Sequence, residues 1–196
     1  MPALVSWRQL PSLTCRSSII STGMANIDEV TQAVDCIIAQ GNKDILLFHC
    51  ISNYPAKLSD SQLGDITFLR DKFKINVGLS DHTITNSASV LAVALGANAI
   101  EKHFKLDNQD CGPDSSFSIM PKQLKSLVDE CDLAFQATKL KNLERPKSEK
   151  INKKFRRSIY FIKDLPKGHI LTTDDVKRVR PGYGISPKYF KYIIGK

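Results

Sequence analysis

The sequence predicts an α/β protein made of successive βα units. Three observations carry that reading: short apolar runs alternate with stretches of helical periodicity over the front two-thirds of the chain, capping signals stand where helical stretches begin, and polar residues gather directly after the apolar runs. Parallel sheets carry their functional loops at the carboxyl ends of the strands, so the third observation marks one rim of the sheet as the place for chemistry.

Ser18 to Ser21 reads as a short strand, and Asn26 with Glu29 forms a capping box opening an amphipathic helix that carries Val30, Ala33, Val34 and Ile37. Ile45 to His49 is the next strand, and Ser59 with Gln62 is expected to cap a helix running towards Phe73. Asn76 to Leu79 makes a third strand, followed by an alanine- and valine-rich helix from Ser87 to Leu95. Ala99 to His103 is the fourth; after a loop, a helix is expected to start near Pro121, where proline suits the first turn. Met1 to Arg16 lacks both periodicities.

Four successive βα units make half of an eight-unit barrel. A (β/α)8 barrel takes about 250 residues, and four parallel strands cannot close on themselves. Residues 1–140 are therefore expected to form part of a TIM barrel with two exposed strand edges, in a chain that reads as a truncated or frame-shifted product. Residues 141–156 are lysine-rich, contain Pro146 and read as an exposed linker. A second module follows over residues 157–196. Ser158 to Lys163 alternates as a strand, Pro166-Lys-Gly168 makes a turn, Thr172 caps a short helix at Asp174 to Lys177, and Ser186-Pro187 opens another helix that Gly195 ends.

Composition narrows the class of function. The 196 residues are 42 % hydrophobic and 24 % charged, enough to bury a core, and no run of ~18 apolar residues exists to span a bilayer. The first twenty residues carry Arg8 and Arg16 but neither a continuous apolar segment nor a cleavage site. A cytoplasmic protein with no membrane partner is expected. Cys15, Cys36, Cys50, Cys111 and Cys131 are odd in number and show no CxxC pairing, which suits reduced thiols. Residues 139–196 hold 17 Lys and Arg against 5 Asp and Glu, whereas residues 1–138 hold 11 against 15. Without an aromatic-interleaved basic ribbon, this basic end reads as a solvated face or an attraction for a small anion, with no nucleic-acid partner.

The polar residues after the strands are the candidates for chemistry. Ser21, Thr22 and Gly23 follow the first strand, His49, Ser52 and Tyr54 the second, and Ser80, Asp81 and His82 the third; Glu101 and His103 close the fourth, with Asp114 in the loop beyond. His82 and His103 lie 21 residues apart, one βα unit, so adjacent strands bring both imidazoles to one mouth. Two imidazoles with oxygen ligands suit Mn2+, Zn2+ or a similar ion, although a histidine at a strand end is more often a hydrogen-bonding structural residue. Alternation puts Glu101 and His103 on one strand face and Lys102 on the other. Glu101 then orients the His103 ring, takes a direct catalytic role or sits in an interior ion pair. Ser21-Thr-Gly23 can receive a carboxylate or phosphate but is also a common turn. Tyr54-Pro55 is a pocket wall or a strand terminator. Arg180-Pro-Gly182 presents a guanidinium beside a rigid turn, suited to a carboxylate or amide, or is an ordinary surface arginine.

Taken in order, Ile20-Ser-Thr-Gly-Met24, His49-Cys50, Tyr54-Pro55, Gly78-Leu-Ser-Asp-His-Thr83, Glu101-Lys-His-Phe104, Gly112-Pro-Asp114 and Arg180-Pro-Gly182 resemble the bacterial nonulosonic (sialic-type) acid synthases, from Ile19 to Lys196. The resemblance implies the C-terminal half of a phosphoenolpyruvate-binding TIM barrel followed by part of an antifreeze-like (SAF) domain. It also implies a domain-swapped homodimer in which one subunit's SAF domain covers its partner's barrel. Gly112-Pro-Asp-Ser-Ser-Phe-Ser118, Phe155-Arg-Arg-Ser-Ile-Tyr160 and Arg180-Pro-Gly-Tyr-Gly184 look more like the pseudaminic acid synthases than the N-acetylneuraminate synthases. His49-Cys50 and Ser21-Thr22 are equally at home in the sialic and legionaminic branches.

The implied reaction condenses phosphoenolpyruvate with the open-chain aldehyde of an N-acylated hexose and releases phosphate. By resemblance, His82 and His103 hold a divalent ion, Mn2+ first with Mg2+ or Co2+ as alternatives; Ser21, Ser52 and Ser80 contact phosphoenolpyruvate; and Tyr54, Asp114 and Arg180 contact the sugar. Ser52 stands where some relatives use asparagine. The family's early-barrel glutamate and phosphoenolpyruvate-holding lysines have no counterpart here, so the catalytic base is not assigned and the chain by itself is expected to be inactive. The rival readings are a non-catalytic carbohydrate-binding or assembly protein and another phosphoenolpyruvate-using barrel enzyme.

Overall fold

The computed structural model describes residues 2–6, 17–106, 112–139 and 144–196, the first of these by backbone alone. The chain divides into two compact units, Met1–Lys139 and Leu140–Lys196.

The first unit is a five-stranded sheet, β1 (Pro2–Ser6), β2 (Ser18–Ser21), β3 (Ile45–Cys50), β4 (Asn76–Asp81) and β5 (Ala99–His103), in the order β1-β5-β4-β3-β2. Strands β2 to β5 run parallel. Helices α1 (Ile27–Ala39), α2 (Gly64–Phe73), α3 (Ser87–Ala94) and α4 (Pro121–Ala137) follow them in turn. This is a parallel half-barrel. β3 is buried at every residue, as an interior parallel strand must be when both its faces are covered. Its sequence Ile-Leu-Leu-Phe-His-Cys is apolar on both faces for that reason.

Parallel register makes paired residues share a face, and it sorts the sheet into two surfaces. Ile45, Leu47, Val77, Leu79 and Ile100 pack with Val34, Ile66, Ala92 and Leu127 of the helices into the main core. Ile19, Ser21, Leu46, Phe48, Cys50, Gly78, Ser80, Ala99, Glu101 and His103 occupy the alternate, inner positions. Leu46, Phe48 and Ala99 form a small buried floor there. Gly78 is required by that floor: a Cβ would stand 2.5 Å from Phe48 Cε1 and 2.7 Å from the Ala99 carbonyl oxygen.

Two local expectations change in this unit. Pro2–Ser6 is a strand, pairing antiparallel with β5, so among the described residues the two unpaired edges of the sheet are those of β1 and β2. The sheet keeps two edges, as expected, but one of them is β1 rather than β5, because an Ala-Leu-Val segment takes the ladder groups of β5, with proline at the strand start where no amide is missed. Ser59 does not cap α2: its hydroxyl bonds Asp60, residues Leu58–Asp60 form a separate 3-10 turn, and the helix starts at Gly64 after an uncapped Leu63. The Asn26–Glu29 capping box of α1 forms as expected. Cys50 and Cys131 are buried free thiols and Cys36 an exposed one, while Cys15 and Cys111 lie outside the described residues.

The second unit is small. Strands β6 (Ser158–Phe161) and β7 (Val176–Val179) pair antiparallel, with short helices α5 (Lys147–Lys150) and α6 (Phe190–Ile193) and 3-10 turns at Ile151–Phe155, Thr173–Asp175 and Pro187–Tyr189. Residues 147–155 of the segment read as a linker are thus helical turns, exposed throughout, and residues 141–143 lie outside the described residues. The helix expected at Asp174 to Lys177 is only one 3-10 turn; Val176 and Lys177 belong to β7, where the β-branched valines at 176 and 179 favour a pleated ladder. Among the described residues no helix is long and apolar enough to cross a membrane.

Candidate functional site

The inner positions at the carboxyl ends of β2 to β5 converge on two imidazoles. His82 directly follows β4 and His103 ends β5, and their ring centroids lie 5.4 Å apart. The His82 Nδ1 stands 2.9 Å from the Ile51 carbonyl oxygen. A carbonyl can only accept, so Nδ1 carries the proton and Nε2 keeps its lone pair. The Ser80 hydroxyl lies 3.5 Å from that Nε2, but its own proton goes to Glu101 Oε1 at 2.7 Å. His103 Nδ1 is buried without a hydrogen bond and faces Asp114 Oδ2 at 3.4 Å, too poorly aligned to bond it. Each ring therefore offers one nitrogen to the site.

Aromatic walls hold the pair. Tyr54 lies over His82 at 4.1 Å between centroids and meets His103 edge-on at 5.8 Å. Phe117 closes the other side, 5.0 Å from His103 and 5.4 Å from Tyr54. The Tyr54–Pro55 and Arg180–Pro181 peptides are cis.

Electrostatics separate the two imidazoles. Burial pulls the His82 pKa down, but contacts with the Cys50 thiol and the Ile51 carbonyl and the nearby Asp81 charge outweigh it, so the net shift is upward. His103 shifts downward: burial dominates, helped by His82, and Asp114 only partly offsets it. Burial alone would raise the Cys50 thiol, yet hydrogen bonds from His82, Ser21 and Ser52 bring it below its ordinary value. Burial, with the negative charges of Cys50, Asp114 and Glu101, pushes the Tyr54 phenol up.

The residues singled out by sequence divide accordingly. Ser21, Ser80, Glu101, His82, His103, Tyr54 and Asp114 stand on or beside the inner face, with Ser52 half-buried and 3.8 Å from Cys50 Sγ. Among the described residues Glu101 makes no ion pair and no hydrogen bond to His103; it accepts from Ser80. His49 and Asp81 turn away from the rim. The His49 ring donates from Nε2 to the Ser61 carbonyl at 2.8 Å, on the helix side of the sheet. Asp81 bonds Lys102 on that same side, because two-residue alternation sets 49, 81 and 102 opposite to 50, 80 and 101. Arg180 lies in the second unit, exposed on the bend before Pro181. Phe117 had no assigned role in the sequence, although it sits three residues past Asp114 in the same motif.

The two imidazoles fit a divalent ion through the chemistry of their free nitrogens, with the Asp114 carboxylate beside one of them. Among the described residues no three His, Cys, Asp or Glu side chains are gathered closely enough to form a complete ligand set.

Comparison with known proteins converges on one family. Residues 11–142 match the NeuB family and residues 156–196 the SAF domain. A pseudaminic acid synthase of Campylobacter jejuni subsp. jejuni serotype O:23/36 is 38 % identical over 181 residues, covering 92 % of this chain and 53 % of the relative. An N,N'-diacetyllegionaminic acid synthase of Legionella pneumophila is 40 % identical over 184 residues, covering 90 % of this chain and 51 % of the relative. A solved N-acetylneuraminic acid synthetase from Leptospira borgpetersenii superposes with a TM-score of 0.63 at 34 % identity, over 69 % of this chain and 47 % of that one. The chain spans about half the length of the curated relatives it matches.

Proposed function

From a chain that belongs to the NeuB family and carries a SAF domain, we propose a nonulosonic acid synthase of the pseudaminic type, joining phosphoenolpyruvate to an N-acylated hexose with release of phosphate. The observation that carries the chemistry is the pair of imidazoles, 5.4 Å apart, each with a nitrogen free for a ligand. His82 Nε2 and His103 Nδ1 would hold a divalent cation, Mn2+ in the first instance, which when bound polarises an aldehyde oxygen. Tyr54 and Phe117 give the sugar an apolar wall, and Asp114 is placed to accept from its hydroxyls. The hydroxyls of Ser21, Ser80 and Ser52 are the donors assigned to phosphoenolpyruvate. Arg180 belongs to the same reading as an acylamino contact supplied by the SAF domain of a second subunit, and a phosphorylated metabolite as substrate places the reaction in the cytoplasm.

The inner positions of β2 to β5 include no lysine or arginine. A phosphate and a carboxylate then find no cationic side chain at these strand positions, where Glu101 adds a carboxylate beside the hydroxyls and imidazoles, so the chain by itself is expected to bind phosphoenolpyruvate weakly and turn over poorly.

Calorimetric titration with Mn2+ tests the reading, followed by phosphate release with phosphoenolpyruvate and a panel of N-acyl hexoses. His82→Ala and His103→Ala are each expected to weaken Mn2+ binding at least tenfold, roughly the cost of removing one of two protein ligands. Binding that survives both substitutions would remove the metal from the reading and favour a carbohydrate-binding role. Which N-acyl hexose drives phosphate release decides between the pseudaminic, legionaminic and neuraminic branches.

A further inference from the structure

Lys102 and Asp81 lie behind the imidazoles, on the opposite face of the sheet, and both side chains are 1 % exposed. A buried lysine is costly unless every N–H finds an acceptor. Here each does: Lys102 Nζ donates to Asp81 Oδ2 at 2.8 Å, to the Thr83 carbonyl at 2.6 Å and to the Thr85 carbonyl at 3.2 Å. Asp81 in turn accepts from the Thr83 amide at 2.8 Å and from the buried Ser89 hydroxyl of α3. The ion pair is fully satisfied.

Its connectivity is more telling than its strength. Asp81 precedes His82 and Thr83 follows it, so one ammonium grips the backbone on both sides of the first imidazole. That ammonium belongs to Lys102, the residue before His103. A single buried charge therefore joins the two short backbone segments whose inward side chains are the candidate ligands. The backbone ladder pairs Asp81 with Lys102 as well, so the side-chain link reinforces a junction the strands already make. A hydrophobic pair of similar volume would satisfy packing equally well, which leaves spatial definition as what the charges add.

We propose that Asp81 and Lys102 are positioning residues, fixing the separation of His82 and His103 and the Nδ1–H tautomer of His82 from behind the sheet. The proposal rests on the metal-dependent synthase reading for its purpose, while its geometry stands independently of it. Loosening the loop 81–85 lets the His82 ring leave the Ile51 carbonyl, and the two rings then lose their fixed separation.

The test uses Asp81→Asn/Lys102→Met, which removes both charges together and so leaves no unpaired buried ion. In long-range 1H–15N spectra of the metal-free protein, wild-type His82 is expected to show one fixed Nδ1–H tautomer, and the folded double variant a tautomeric mixture. Mn2+ affinity is expected to fall by about ten- to a hundredfold, as for other groups that orient ligands from behind. A folded double variant with an unchanged His82 tautomer and unchanged Mn2+ affinity overturns the proposal. If the double variant does not fold, Ser89→Ala decides with the same readouts: a smaller shift of the same sign supports the proposal, and unaltered spectra overturn it. Wild-type protein that binds no Mn2+ would defeat the metal reading, and the tautomer would still decide the positioning role.

Discussion

The sheet unit and the SAF unit each bury one aspartate among the described residues, Asp81 and Asp175, and they hold it in different ways. Asp81 is sealed with its cation, both side chains 1 % exposed between sheet and helices. Asp175 is equally buried, yet its partners reach in from water: the Lys163 side chain is 53 % exposed and that of His169 32 %. The amide and hydroxyl of Thr172 complete the set, both at 2.7 Å. The difference follows from the size of the core. The sheet unit can wrap an ion pair in apolar layers; the SAF unit buries only Ile159 and Val176 among its described hydrophobic residues. A unit that small needs a staple, and here one carboxylate gathers donors from three points of the chain.

The contrast breaks most sharply at the two lysines. Lys102→Met leaves Asp81 charged and sealed, and it is expected to cost about 3–5 kcal/mol, the range for a buried pair deprived of one partner. Lys163→Met removes an ammonium that is half in water, where solvent screens much of the interaction and can reach the vacated oxygen, so the loss is expected to be clearly smaller than at Lys102. Urea unfolding followed separately through amide signals of each unit measures both. Comparable losses would mean that the SAF unit is as dry around its aspartate as the sheet unit, against the exposures above.

A second, smaller contrast lies in two glycines. Gly78→Ala drives a Cβ into Phe48, itself 2 % exposed, and into the Ala99 backbone, so about 1–3 kcal/mol of overpacking strain is expected. Gly182→Ala meets the Lys153 carbonyl oxygen at 2.6 Å, but Lys153 sits in an exposed turn that can give way. The expected loss there is smaller than at Gly78, by thermal unfolding of each unit. The reverse order would show that the exposed turn is the stiffer of the two.

How far sequence alone reaches differs between the units for the same reason. The four parallel strands were legible because each is an apolar run bounded by polar residues, and β5 begins and ends where the pattern says. That 101 and 103 share one face and 102 takes the other followed from alternation alone, while which face is inward did not. Not legible was the reversal of Asp81 and His49 away from the rim, since a polar residue after a strand looks the same on either face until register is known. Pro2–Ser6 escaped notice because five residues cannot show a period, and its pairing with β5 is a long-range event. In the SAF unit the capping signal of Thr172 was real, with Thr172 and Asp175 bonding as a capping box, but tertiary pairing took Val176 and Lys177 into a strand. Lys102 appeared only as the residue on the strand face opposite to Glu101 and His103. Its three acceptors depend on the fold of the loop 81–85, which no spacing encodes.

The finest distinction between the units is their response to pH. Lys163, then His169 and Thr172, hold the Asp175 carboxyl well below its ordinary 3.8. A depressed carboxyl contributes stability that is complete above 3.8 and is lost as pH falls through the folded value, so the SAF unit is the acid-sensitive one. In the sheet unit burial, with Glu130, Asp81 and Asp132 nearby, pushes the Cys131 thiol from 9.0 up to about 12. The folded state then keeps a proton that the unfolded chain releases, and stability present below 9.0 is lost as pH climbs towards 12. Near neutrality the sheet unit is flatter, because the raised His82 favours folding at the acid side of 6.5 while the lowered His103 opposes it there. Unit-resolved unfolding across pH should therefore show an acid limb in the SAF unit that Asp175→Asn abolishes, and an alkaline limb in the sheet unit that Cys131→Ala flattens. Cys131→Ala also opens a cavity, which lowers the sheet unit's stability at every pH and so leaves the slope above 9.0 as the diagnostic quantity. An acid limb that survives Asp175→Asn would show that another group carries it, and the assignment of acid sensitivity to the SAF unit would have to be redrawn.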